Sequence, residues 1–155
     1  MARSASRLCL ACGIAVLAGL FAAPAARAAR PSPALQPDAV QGNWVTGDGE
    51  GVIAVAPCPD SDAVCGRIVG IRRPPGAPVP PRCGVVILRN QRPTEDGSWR
   101  GEVFDPRSGR IFGARLWLDE AGDLHVRGFL FSPLLGETQT WHRYAGTLGA
   151  DCAMS

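Results

Sequence analysis

After Gly42, polar and apolar residues alternate with a period of two through most of the chain, most clearly towards its end. Phe112, Ala114, Leu116 and Leu118 fall on one face of an extended segment, with Ile111, Gly113, Arg115 and Trp117 on the other. Leu124, Val126, Gly128 and Leu130 likewise oppose His125, Arg127, Phe129 and Phe131. That period belongs to a strand with one buried face. No run of helical period in this region reaches three turns. Strands are predicted near 43–46, 50–56, 64–71, 85–90, 99–105, 110–118, 123–131 and 137–144. Turn-forming clusters separate them, among them Gly47-Asp48-Gly49, Asp96-Gly97 and Asp105-Pro106-Arg107-Ser108-Gly109. The fold class is therefore all-β. Eight such strands joined by short turns suffice to close a single antiparallel up-and-down barrel. The one long connection, 72–84, carries a proline tract from Pro74 to Pro81 and is expected to run extended across one barrel end.

The first 28 residues follow a different pattern. Arg3 and Arg7 precede an apolar run of 16 residues, Leu8 to Ala23, and Ala26-Arg27-Ala28 then offers a small-x-small cleavage site. This is the layout of a secretory signal peptide, cleaved after Ala28. The run is shorter than the roughly 20 residues that span a bilayer, and no later segment is apolar enough, so no membrane span is expected after cleavage. The expected organisation is a signal over 1–28, a lead-in over 29–41, a barrel domain over 42–146 and a tail over 147–155. The expected location is periplasmic or secreted.

Charge agrees with this division. All 16 basic residues are Arg, and removing the signal leaves 13 of them against 14 acids, a net charge of −1 in place of +2. A near-neutral domain lacks the basic footprint of a nucleic-acid binder.

Four cysteines follow the signal: Cys58, Cys65, Cys83 and Cys152. An even number in a small exported domain reads as disulfides, with three possible connectivities. Cys58 and Cys65 flank the turn-forming Pro59-Asp60-Ser61-Asp62 between two apolar runs, at facing ends of a hairpin. Cys83 and Cys152 are left as the second pair by elimination. A zinc site needs two closely spaced ligand pairs, and a redox site needs Cys-x-x-Cys. Neither spacing is present, so no metal or cofactor is expected.

Taken in order, Gly42-Asn43-Trp44, Thr46 to Gly51, Pro57-Cys58, Cys65 to Val69 and Ile87-Leu88-Arg89 resemble the bacterial domain-of-unknown-function family DUF2147. The resemblance continues through Gly97-Ser98-Trp99, Asp105-Pro106 to Gly109, Phe112 to Leu116, Val126-Arg127-Gly128 and Leu135 to Arg143. It implies an exported domain of this size and little about activity. The chain departs from the family in its proline tract with Cys83 and in its short extra tail with Cys152. A second resemblance is to lipocalin-like barrels, whose Gly-x-Trp motif matches Gly42-x-Trp44. It implies that Arg143, on the last strand, covers the Trp44 ring and closes that barrel end.

Four residues on the mixed face of the late strands are candidates for ligand binding: Arg115, Arg127, His125 and Trp117. If that face lines a cavity, the two guanidiniums form a clamp for a carboxylate or phosphate. If it is the outer wall, they pair with acids such as Asp119 and Glu102. Ser98, Ser108 and Ser132, with His125 or His142, are the available hydroxyl and imidazole groups for nucleophilic catalysis. No nucleophile-elbow motif accompanies them, and no catalytic residue is assigned. The expectation is a non-catalytic binding module for a small amphipathic or anionic ligand. Its alternative is a protein-interaction or inhibitor module with a filled barrel core, and a small hydrolase comes last.

Overall fold

A computed structural model describes residues 37–154 apart from 60 and 75. The expected signal peptide and most of the lead-in lie outside the described residues. Eight strands follow in chain order: β1 (Gly42–Val45), β2 (Gly51–Pro57), β3 (Val64–Ile71), β4 (Val86–Pro93), β5 (Trp99–Asp105), β6 (Arg110–Leu118), β7 (Leu124–Phe129) and β8 (Glu137–Arg143). Each pairs antiparallel with the next. The ring closes where Trp44 of β1 meets Arg143 of β8. The expected up-and-down barrel is the observed one.

Two strand ends differ from expectation by more than one residue, for physical reasons. β4 runs on to Pro93 through a register shift between Arg89 and Arg92, where Asn90 takes a positive φ of 50°. This irregularity turns Gln91 inward, and its side-chain amide donates to the Glu102 carbonyl at 2.7 Å. β7 ends at Phe129 rather than 131 because the chain leaves the sheet there, held by Arg127.

The two barrel ends are unlike. At the end where β1 begins, Trp44, Trp99, Leu116 and Leu124 are fully buried. The Trp44 indole N–H donates to the Val40 carbonyl at 2.8 Å, anchoring the 3-10 turn Pro37–Val40 to this end. The Arg143 guanidinium lies 3.9 Å from the Trp44 ring centroid. It donates to the Gln41 carbonyl and, at 2.7 Å, to the Ala39 carbonyl. Gly42 is required at this crossing: its φ is 118°, and a Cβ there would stand 2.6 Å from Arg143 Nη1.

Both disulfides form as expected. Cys58–Cys65 clasps the β2–β3 hairpin with Cα atoms 5.0 Å apart, and Cys83–Cys152 ties the long connection to the tail with Cα atoms 6.1 Å apart. The tail also docks on β3. The Ile71 amide donates to the Cys152 carbonyl at 2.8 Å, Ile71 pairs in parallel with Ala153, and Arg73 pairs with Asp151.

Candidate functional site

Along β7 the inward side chains are Leu124, Val126 and then Gly128, so the interior loses volume-filling groups from the closed end towards the other. A cavity of about 410 Å³ opens there. Ile53, Ile68, Ile87, Val103, Phe112 and Val126, one from each of β2 to β7, form apolar walls. Trp141 of β8 completes them, its indole N–H donating to Gln139 Oε1 at 3.0 Å.

The mouth is polar and built from turns. Asp48 and Glu50 come from the β1–β2 turn, Arg82 from the long β3–β4 connection, Asp105 from the end of β5, Arg107 from the β5–β6 turn, and Glu137 from the start of β8. Asp48 is held by groups of its own turn and of the β5–β6 turn. Burial opposes its charge. Against that, it accepts the Thr46 hydroxyl at 2.6 Å and the Glu50 amide at 3.0 Å, with Arg107 3.5 Å away. The result is a carboxyl below the ordinary carboxylate range. The Asp48–Arg107 pair also links two turns across the rim. Asp105 is occupied in its own turn, by the Ser108 hydroxyl at 2.7 Å and the Arg107 amide at 2.9 Å. Glu50 stands 3.9 Å from Arg72. Among the described residues, neither Arg82 nor Glu137 forms an ion pair.

The four residues expected to bind ligand stand elsewhere. Arg115, Arg127, His125 and Trp117 all lie on the outer wall, and none lines the cavity. The expectation of a cationic clamp inside the barrel is therefore corrected. Leu116 and Val126 share the inward face of β6 and β7, which leaves the Arg115–Arg127 register pair outside. Arg115 faces Asp96 at 3.3 Å and lies over Trp117, 5.5 Å from its centroid. Trp117 in turn stacks on His125, with centroids 5.0 Å apart. The outer-wall reading of the arginines holds, but with Asp96 as the partner of Arg115 in place of Asp119 or Glu102.

His125 lies between Asp119, 2.9 Å from Nε2, and the Thr140 hydroxyl, 3.2 Å from Nδ1. The imidazole contact and two backbone amides keep the Asp119 carboxyl below its ordinary range. The order acid, imidazole, hydroxyl is that of a nucleophilic triad, but it lies on the convex outer wall away from the cavity. The serines considered from sequence are engaged elsewhere: Ser98 with Asp96 and Thr94, Ser108 with Asp105, and Ser132 with the Leu134 amide.

Sequence reasoning missed Arg82, Arg107 and Glu137 as rim residues, and Gly128 as the position that leaves the mouth open. The available signal was Gly128 itself, a missing side chain on an otherwise apolar inward face.

No curated protein and no solved structure matches the chain. Residues 42–143, the whole eight-stranded ring, match the family model described as an uncharacterised protein conserved in bacteria, DUF2147, and the chain belongs to that family.

Proposed function

We propose that the protein is an exported, non-catalytic binding module that takes a small amphipathic ligand, apolar body first, into the open end of its barrel. The carrying observation is the cavity of about 410 Å³ with apolar walls and a polar mouth. That size and division of chemistry suit a small ligand with one polar head. Four carboxylates and two guanidiniums border the mouth, which favours a neutral or zwitterionic head over an anion. Arg82 and Glu137 are the two charges placed to meet it. Two disulfides support an oxidising compartment, and the first 28 residues supply the export reading.

The test is fluorescence enhancement of N-phenylnaphthylamine, a neutral amphiphile, on titration with the protein. Gly128→Leu places a side chain in the mouth and should weaken binding about tenfold or more. Arg115→Ala, on the outer wall, should leave it unchanged. Absence of binding by the unsubstituted protein, or equal binding by the Gly128→Leu variant, would overturn the proposal.

A further inference from the structure

Connections at the open end follow one another at every second strand of the ring: β1–β2, β3–β4, β5–β6 and β7–β8. The β1–β2 and β5–β6 turns are therefore four strands apart in either direction and face each other across the mouth. Asp48 stands on the first and Arg107 on the second, and both border the cavity. Their contact, 3.5 Å from Arg107 Nη2 to Asp48 Oδ2, bridges the opening. Among the described residues it is the one ion pair that does so, since Glu50 and Arg72 join neighbouring connections. At the closed end, by contrast, Trp44 and Arg143 lie on strands adjacent in the ring.

Each half of the bridge is set up by its own turn. The Asp48 carboxylate is divided: Oδ1 accepts the Thr46 hydroxyl at 2.6 Å and the Glu50 amide at 3.0 Å, which leaves Oδ2 for Arg107. In the opposite turn, Asp105 accepts the Arg107 amide at 2.9 Å and the Ser108 hydroxyl at 2.7 Å. The shape of that turn is therefore held without the Arg107 side chain.

The bridge is also weak enough to open. Its two side chains are 67% and 44% exposed, and an ion pair so placed contributes little and is readily broken. While formed, it parts the mouth, with Arg82 of the β3–β4 connection in one half and Glu137 of β8 in the other. A cavity crossed by a reversible contact exchanges its contents at a rate set by the opening of that contact.

We propose that Asp48 and Arg107 form a gate across the barrel mouth that governs how fast a ligand enters and leaves. This role rests on the reading of the cavity as a binding site. A gate acts on passage and not on the bound state, so opening it changes both rates together.

Stopped-flow fluorescence with N-phenylnaphthylamine, which carries no charge to be steered, measures the two rates. Asp48→Asn keeps an oxygen for Thr46 and Glu50 and removes the charge that holds Arg107. Arg107→Ala keeps the amide that Asp105 accepts. In each variant association and dissociation should quicken together, about two- to fivefold. Added salt should quicken exchange in the unsubstituted protein and not in Asp48→Asn, which has no charge pair left to screen. A second measurement needs no ligand. With Val126→Cys in the cavity wall, alkylation by N-ethylmaleimide should accelerate by a similar factor once Asp48→Asn is added. Equal alkylation with and without Asp48→Asn would overturn the gate, whether or not the probe binds. So would an altered affinity at an unaltered association rate, which would make the two residues ligand contacts. Accelerated alkylation in a protein that binds no probe would overturn the binding reading and leave the gate standing.

Discussion

Asp96 shows how much one residue can organise on this barrel. Its carboxylate accepts the Ser98 hydroxyl at 2.5 Å, the Thr94 hydroxyl at 2.6 Å and the Ser98 amide at 3.1 Å. It also faces Arg115 at 3.3 Å and Arg100 at 3.7 Å. These contacts, the Ser98 hydroxyl foremost, hold its carboxyl far below the ordinary carboxylate range. A carboxyl lowered in the folded state adds stability above its unfolded value of about 3.9, and that contribution disappears as pH falls towards the folded value. Acid titration of the urea midpoint should therefore show a loss of stability below about pH 4 that Asp96→Asn diminishes. Equal acid dependence in the two proteins would mean that the carboxylate's contacts do not act on folding.

At the scale of elements, strand ends follow side-chain commitments more than propensity. β4 continues because Gln91 is turned inward and bonded to Glu102. β7 stops because Arg127 draws the following turn onto itself. The disulfides also act here, and they differ in the chain they enclose, with sequence separations of 7 and 69 residues. In the chain-entropy account the longer closure restricts the unfolded state more. Replacing Cys83 and Cys152 together by Ser should cost about 4 kcal/mol, against about 2.5 kcal/mol for Cys58 and Cys65, measured by urea unfolding. The larger loss should be accompanied by faster amide exchange around Ile71, whose N–H bonds the tail. A larger cost for the hairpin disulfide would contradict this ranking.

Across the whole molecule, the interior divides into a packed half and an open half. Leu116 is enclosed among the side chains of the closed end, whereas Ile68 borders the cavity. Leu116→Ala should cost about 3 kcal/mol, and Ile68→Ala about half as much, because truncation leaves a new void only where neighbours surround the side chain. Equal losses on urea unfolding would mean that the two halves are packed alike. The same division carries the proposed function, since it leaves space at one end and the Trp44–Arg143 closure at the other.

Strand order, turn positions and the Cys58–Cys65 pairing were legible from sequence because each is local. A period of two, an Asp-Gly step and a hairpin-length separation act over a few residues. Gly42, Trp44 and Arg143 were legible as a closing set only through the family resemblance. The site was not legible. On β6 and β7 both faces carry large apolar groups, Leu116 and Val126 on one, Trp117 and Phe129 on the other, so alternation defines two faces without saying which is inside. That choice, the empty space beside Gly128 and the capture of the tail by Cys83 depend on volumes and distances summed around a closed ring. Contributions from every strand meet there, and only the tertiary structure decides them.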